Sequence, residues 1–193
     1  MNHVISGLFS GNAVVCKVSE YTSWSASFYL RIVRAALVSC GHSPDLVQVI
    51  TGFGDAGAAL VASPNISKII FTGSDAVGRH VMRGAAANLT PVVLELGGKD
   101  PMVICSDAEL SHVVPIAMRG VFQNCGQNCI GVERLFVHSA LHDSFVEEMH
   151  ALVKELKQGF PLAKDGSGRD MGAMVMPAQL VLIQASSSVD ERG

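Results

Sequence analysis

An α/β architecture on parallel strands is the fold class this sequence predicts, and three observations predict it. Short apolar, β-branched runs recur at residues 12–16, 46–50, 68–71 and 92–96, separated by segments with helical spacing. Each run opens at its carboxyl end into a loop carrying Gly, a hydroxyl or a charge: residues 17–20, 51–55, 72–74 and 95–99. After Gly97-Gly98-Lys99-Asp100-Pro101 the pattern restarts. Buried runs joined by helices indicate a parallel sheet, and such sheets bind ligands at the carboxyl ends of their strands.

The elements follow in order. Residues 12–16 form a short buried strand after Gly11, and the small hydroxyl residues at 19–25 suit a helix cap. Phe28, Leu30, Ile32, Val33 and Leu37 give a helix over 26–40, stopped by Gly41. A strand over 46–50 leads into a glycine-rich turn at 51–57 and a short helix at 58–63. A strand at 68–71, a helix at 76–87 and a strand at 92–96 complete the first half. The second half predicts a strand at 102–105, a long helix at 108–125 interrupted or kinked by Pro115, and a strand at 134–138. A helix at 142–156, a polar loop at 164–169 and a last helix opened by Pro177, fading at Ser186, follow. The Gly-Gly at 97–98 divides the chain into segments 1–97 and 98–193.

Composition narrows the function. The 193 residues are 49% apolar, with a mean hydropathy of +0.36, the reverse of a disordered chain. Fourteen Lys and Arg against 17 Asp and Glu leave a formal charge of −3, and aromatics are only 6%. Neither a basic field nor a stacking platform for nucleic acid is present. No uninterrupted apolar stretch of about 18 residues occurs, so no spanning helix is expected, and the start lacks the basic residues of a secretory signal. Five cysteines, at 16, 40, 105, 125 and 129, form no disulfide pattern, which points to a reducing compartment, the cytoplasm by default.

Two glycine motifs compete. Gly52-Phe53-Gly54-Asp55-Ala56-Gly57 fits G-x-G-x-x-G after a strand, with Asp75 about 20 residues on, as in a Rossmann dinucleotide fingerprint. The same residues read equally as a plain strand-to-helix turn. Phe71-Thr72-Gly73-Ser74 with Gly78 offers free amides and a hydroxyl to a phosphate, or simply caps a helix. Lys17 and Glu20, after the first strand, could hold ribose hydroxyls or form a solvated surface pair.

Phe122-Gln123-Asn124-Cys125-Gly126-Gln127-Asn128-Cys129 is the most unusual segment. A cysteine nucleophile needs thiolate character and access, which amides at a helix end supply, although most cysteines are buried packing residues. Glu95 ends an apolar strand; there, burial would raise its pKa toward that of a general base. Cys125 and Cys129 with His112 or His138 lack the second pair that closes a zinc site, so no metal is expected. G-x-S-x-G and H-E-x-x-H are absent.

Taken in register, these residues resemble the aldehyde dehydrogenase superfamily. The matches are Ser10-Gly11-Asn12, Lys17-Val18-Ser19-Glu20, Thr51-Gly52-Phe53-Gly54, Phe71-Thr72-Gly73-Ser74 with Gly78, Leu94-Glu95-Leu96-Gly97-Gly98-Lys99, and Phe122 through Arg134. The last fits the family's F-x-N-x-G-Q-x-C signature, and the 34-residue step from Glu95 to Cys129 is similar to the family's. The resemblance implies a Rossmann-like cofactor-binding sheet in 1–97, then the first part of an α/β catalytic domain in 98–193, truncated at both ends. It implies oxidation of a small-molecule aldehyde to a carboxylate, with Cys129 as nucleophile through a thiohemiacetal and a thioester and Glu95 as the base that activates water. Lys17 and Glu20 would hold the adenosine ribose, Gly54 and Asp55 would line the adenosine site, and Gly73, Ser74 and Gly78 would serve the pyrophosphate. Leu96 and Gly97 would lie near the nicotinamide. The 52–57 match is then largely a decoy.

Val18, Asp55 and Gly131 depart from the residues usual in the family. Glu20 and Asp55 would repel a 2′-phosphate, so NAD is expected as cofactor, with NADP left open. The resemblance also implies a homo-oligomer for a longer chain and an oxyanion-hole asparagine upstream of Met1. Two alternatives stay open: a truncated, non-catalytic remnant that binds a nucleotide or a family partner, and a plain Rossmann binding module using Gly52–Gly57.

Overall fold

The computed structural model describes residues 2–160, 162–164 and 168–190, with side chains as far as 185. The chain divides into two compact units, Met1–Leu96 and Gly97–Gly193.

The first unit begins with a helix absent from the sequence reading, α1 (Asn2–Phe9), which lies on β1 (Val14–Lys17). Gly7 makes the approach possible: a Cβ there would stand 2.7 Å from Val14 Cγ2. A 3₁₀ turn at Glu20–Thr22, capped by the Ser19 hydroxyl on the Tyr21 amide, leads into α2 (Ser23–Ser39). Gly41, at φ +77°, takes the chain out of α2. Another 3₁₀ turn, Pro44–Leu46, precedes β2 (Val47–Ile50), and then come α3 (Gly54–Ala62), β3 (Ile69–Thr72), α4 (Asp75–Ala86) and β4 (Val92–Glu95). α3 begins four residues earlier than periodicity indicated, inside the glycine-rich turn: Gly52, at φ +149°, makes the bend and Gly54 already starts the helix.

The strands are parallel, as the sequence predicts, but pair two by two. β1 runs beside β2, placing Lys17 opposite Ile50, and β3 beside β4, placing Thr72 opposite Glu95. They are not buried on both faces, contrary to the reading of apolar runs as enclosed strands. Ile70 and Val93 are register partners and both exposed, while Phe71 and Leu94 are half-buried. The reason is that α4 covers only one face, where Gly78 lies under Leu94 and Leu96. Inside the unit, Val47, Val81 and Ala85 are buried, and the Arg34 guanidinium reaches from α2 to donate to the Val47 carbonyl and the Gln48 side chain.

The second unit contains β5 (Asp100–Ile104), α5 (Leu110–Phe122), β6 (Val132–Val137), α6 (His142–Glu155) and α7 (Pro177–Asp190). β5 and β6 are parallel, with a register shift between Asp100 and Pro101. The core is formed by Ile104, Val114, Ala117 and Phe145, with Met102, Leu135, Val137 and Met149 packed around it. Strand alternation sorts the faces: Met102, Ile104, Leu135 and Val137 point to this core, while Val103 and Phe136 are exposed partners. α5 continues through Pro115 and ends at Phe122, three residues short of the expected helix. It stops because Asn124 and Cys125 adopt left-handed φ values of 55° and 60°. α7 runs on to Asp190 instead of fading at the serines, and the loop expected at 164–169 falls partly outside the described residues.

Candidate active site

In the first unit the four predicted loops all lie at carboxyl ends of strands. Lys17 closes β1, and its ammonium stands 3.6 Å from the Glu20 carboxylate. Residues 51–55 follow β2. Gly54 and Asp55 are exposed at the start of α3, where the Asp55 carboxylate accepts the Ala56 amide at 2.9 Å. Gly73 and Ser74 follow β3. The Gly73 amide donates to the Glu95 carbonyl at 3.1 Å, tying this loop to the end of β4. The Ser74 hydroxyl caps α4 by accepting from the Val77 amide at 3.4 Å, and Asp75 in that first turn pairs with Arg79.

Gly78 is buried, and a Cβ there would meet Leu96 Cδ2 at 2.9 Å. Its visible task is to let α4 close on β4. Leu96 is half-buried on it, and Gly97 is exposed with open space around it. Glu95 corrects one expectation. Its strand alternates, so the carboxylate falls on the exposed side rather than in the apolar interior. The desolvation argument for its basicity therefore has no support in the geometry.

In the second unit the cysteine segment forms a chain of tight turns. Beyond α5, Asn124 and Cys125 are left-handed and Gly126 continues the bend at φ +73°. Asparagine tolerates this conformation; for cysteine it costs about 1–2 kcal/mol. The Gln127 amide donates to the Asn124 carbonyl, the Asn128 amide to Gly126 and the Gly131 amide to Asn128. Cys129 lies at the crest and is exposed. Neither its amide nor its thiol makes a hydrogen bond among the described residues. Gly131 is buried, and a Cβ there would come within 3.0 Å of the Asn128 carbonyl. The chain has little room at this departure from the family pattern.

Two supports of this loop were not legible in the sequence. The Gln127 side chain donates to the Asn124 carbonyl at 2.9 Å and the Ala173 carbonyl at 3.3 Å, and accepts from the Val175 amide at 2.8 Å. The Cys125 thiol donates to the Gly172 carbonyl at 3.4 Å. A Cβ placed on Gly98 would stand 4.0 Å from the Cys129 carbonyl oxygen. The register shift leaves Glu133 unmatched in the ladder, where it forms an ion pair with Lys99. The signature's Gln is visible in the sequence, but its partners at 173–175 are not, because they lie more than 40 residues away. Among the described residues no group of three or more His, Cys, Asp or Glu could hold a metal, and no helix is long and apolar enough to cross a membrane.

Parallel strands linked by helices, with loops gathered at their carboxyl ends, define a Rossmann-like α/β protein. Comparison with known proteins makes the assignment specific. The model described as the aldehyde dehydrogenase family matches residues 1–189, and the chain belongs to that family. It is 44% identical over 172 residues to an aldehyde dehydrogenase-like protein of Schizosaccharomyces pombe, covering 89% of this chain and 32% of that one. An aldehyde dehydrogenase of Agaricus bisporus is 41% identical over 174 residues, with 89% and 33% covered. Among solved structures, lactaldehyde dehydrogenase from Escherichia coli superposes with a TM-score of 0.86 at 29% identity, over 98% of this chain and 39% of that one. The NAD+ complex of an aldehyde dehydrogenase from Bacillus cereus gives 0.80 at 33% identity, over 93% and 36%. The chain thus spans about a third of the length of the curated relatives it matches.

Proposed function

We propose that this chain carries the cofactor loops and the nucleophile of an NAD(P)-dependent aldehyde dehydrogenase. The observation that carries the reading is the placement of Cys129: exposed, at the crest of a tightly turned loop, with an amide that no other described group uses. Such a thiol is open to a carbonyl carbon, and its own N–H is free to meet the oxygen that becomes negative on attack.

The residues of the first unit fit a dinucleotide. The start of α4 is exposed and carries the Ser74 hydroxyl, so its partial positive charge and free amides suit a pyrophosphate. Gly73 offers no side chain to obstruct that approach. Lys17 and Glu20, one donor and one acceptor at the end of β1, suit the two ribose hydroxyls, and Gly54 and Asp55 suit the adenosine. Gly78 contributes by packing, and Leu96 with Gly97 supplies the apolar and open segment for the nicotinamide. The solved Bacillus cereus relative in its NAD+ complex supports the same cofactor class. Bound there, the cofactor supplies the hydride acceptor.

On this reading the Cys129 thiolate attacks the aldehyde carbon to give a thiohemiacetal, and loss of hydride leaves a thioester on the same sulfur. Glu95, exposed to solvent, takes a proton from water, and the hydroxide releases the carboxylate and restores the thiolate. Segments 1–97 and 98–193 are then the cofactor-binding and catalytic portions.

The alternative is a chain that binds the nucleotide without catalysis. The purified chain with NAD and a short aldehyde separates the two. NADH absorbance that appears in the parent and disappears in Cys129→Ser supports catalysis; nucleotide binding without NADH supports the remnant.

A further inference from the structure

We propose that Gln127 is a positioning residue for Cys129, acting by strapping the nucleophile loop to the segment at 172–175. The inference rests on the nucleophile reading of Cys129 and adds a residue that works through others.

Asn124 and Cys125 are both left-handed, a state that persists only where the surroundings hold it. No helix or strand includes residues 127–131, and the turn bonds within the loop connect it only to itself. What fixes it from outside is a row of contacts to the irregular segment at 172–175. Cys125 donates to the Gly172 carbonyl, and Gln127 Nε2 donates to the Ala173 carbonyl while Oε1 accepts from the Val175 amide. The same Nε2 also donates back to the Asn124 carbonyl at 2.9 Å. A single half-buried amide therefore uses both donors and its acceptor, and it grips the strained turn and its support together.

Two residues later comes Cys129, whose amide has no partner of its own among the described residues. The direction of that amide is set by the loop alone. If Gln127 releases Val175 and Ala173, the turn at Asn124 and Cys125 can relax. The amides around Cys129 then no longer hold one orientation toward its sulfur or toward a bound oxyanion. Gln is required rather than Glu, because a carboxylate would face two carbonyl oxygens.

The test uses the 193-residue chain and reads iodoacetamide labelling of each cysteine by peptide mass spectrometry across pH. Cys105, exposed in the same unit, is the internal reference. The parent is expected to label Cys129 faster than Cys105. In Gln127→Met, which keeps size but removes every bond, the Cys129-to-Cys105 ratio is expected to fall about tenfold. Gln127→Glu keeps the acceptor for the Val175 amide and is expected to fall between the two. It carries the same readout if the Met variant does not fold. A ratio within twofold of the parent, with or without a lower melting temperature, makes Gln127 merely structural and overturns the proposal while leaving the nucleophile intact. A parent in which Cys129 labels no faster than Cys105 removes the nucleophile reading itself, and the strap with it.

Discussion

The Arg134 guanidinium donates from Nε to the Lys99 carbonyl at 2.8 Å. This bond joins the second residue after the bulge-side valine of β6 to the residue that enters β5, and so ties the start of β5 to β6. The same guanidinium lies 5.7 Å over the Phe136 ring.

Arg134→Ala is expected to destabilise the second unit by about 1 kcal/mol, because this charge-assisted bond is exposed to solvent. Arg134→Lys should recover less than half of that loss, because an ammonium offers neither the planar fork nor the ring stacking. Urea unfolding of the three chains measures both effects. Equal midpoints for parent and Ala variant would show that the bond carries nothing.

Glu20 leads to a cofactor prediction. Its carboxylate lies 3.6 Å from Lys17 and is partly exposed, so a 2′-phosphate brought to this pair would meet a like charge. Removing that charge in Glu20→Gln should improve NADP relative to NAD by about 1 kcal/mol, or about fivefold, a value set by the high dielectric near the surface. Binding titrations with both nucleotides check it. A parent that binds them equally contradicts the repulsion argument.

Cys16 carries a pH prediction. Burial in β1 pushes its thiol above the ordinary range by penalising the thiolate. A raised folded-state value means that its contribution to stability is complete below the ordinary thiol pKa of about 8.5 and is lost as pH rises through the folded value. Iodoacetamide should therefore label Cys16 more slowly than the exposed Cys40 and Cys105 near neutral pH. The gap should close in urea. Equal rates in the folded chain would contradict it.

Much of this was legible before the structure. Glycine and proline marked the ends of elements, and the runs containing Val14, Val47, Ile69 and Val92 all became parallel strands. Periodicity failed where local rules were weak. α1 escaped because an apolar stretch with Gly7 inside it gives no clear helical signal. Helical spacing runs past the end of α5 because nothing local announces that Asn124 and Cys125 turn left-handed. Apolar neighbours suggest a buried Glu95, yet strand alternation turns Val92 and Leu94 inward and leaves Val93 and Glu95 on the exposed face.

By itself, then, the sequence determined the parallel α/β class and the loops at the strand ends. These depend on residue type and short spacing, which a linear reading carries. Only the tertiary structure decided that the strands pair two by two, that Gly78 is a packing residue under Leu96, and that the Cys129 loop hangs on Gln127 and on the 172–175 stretch. Each of those depends on groups far apart in the chain meeting at bonding distance. Such meetings are set by packing and by the demand that buried and strained backbone find partners, and no local pattern encodes them.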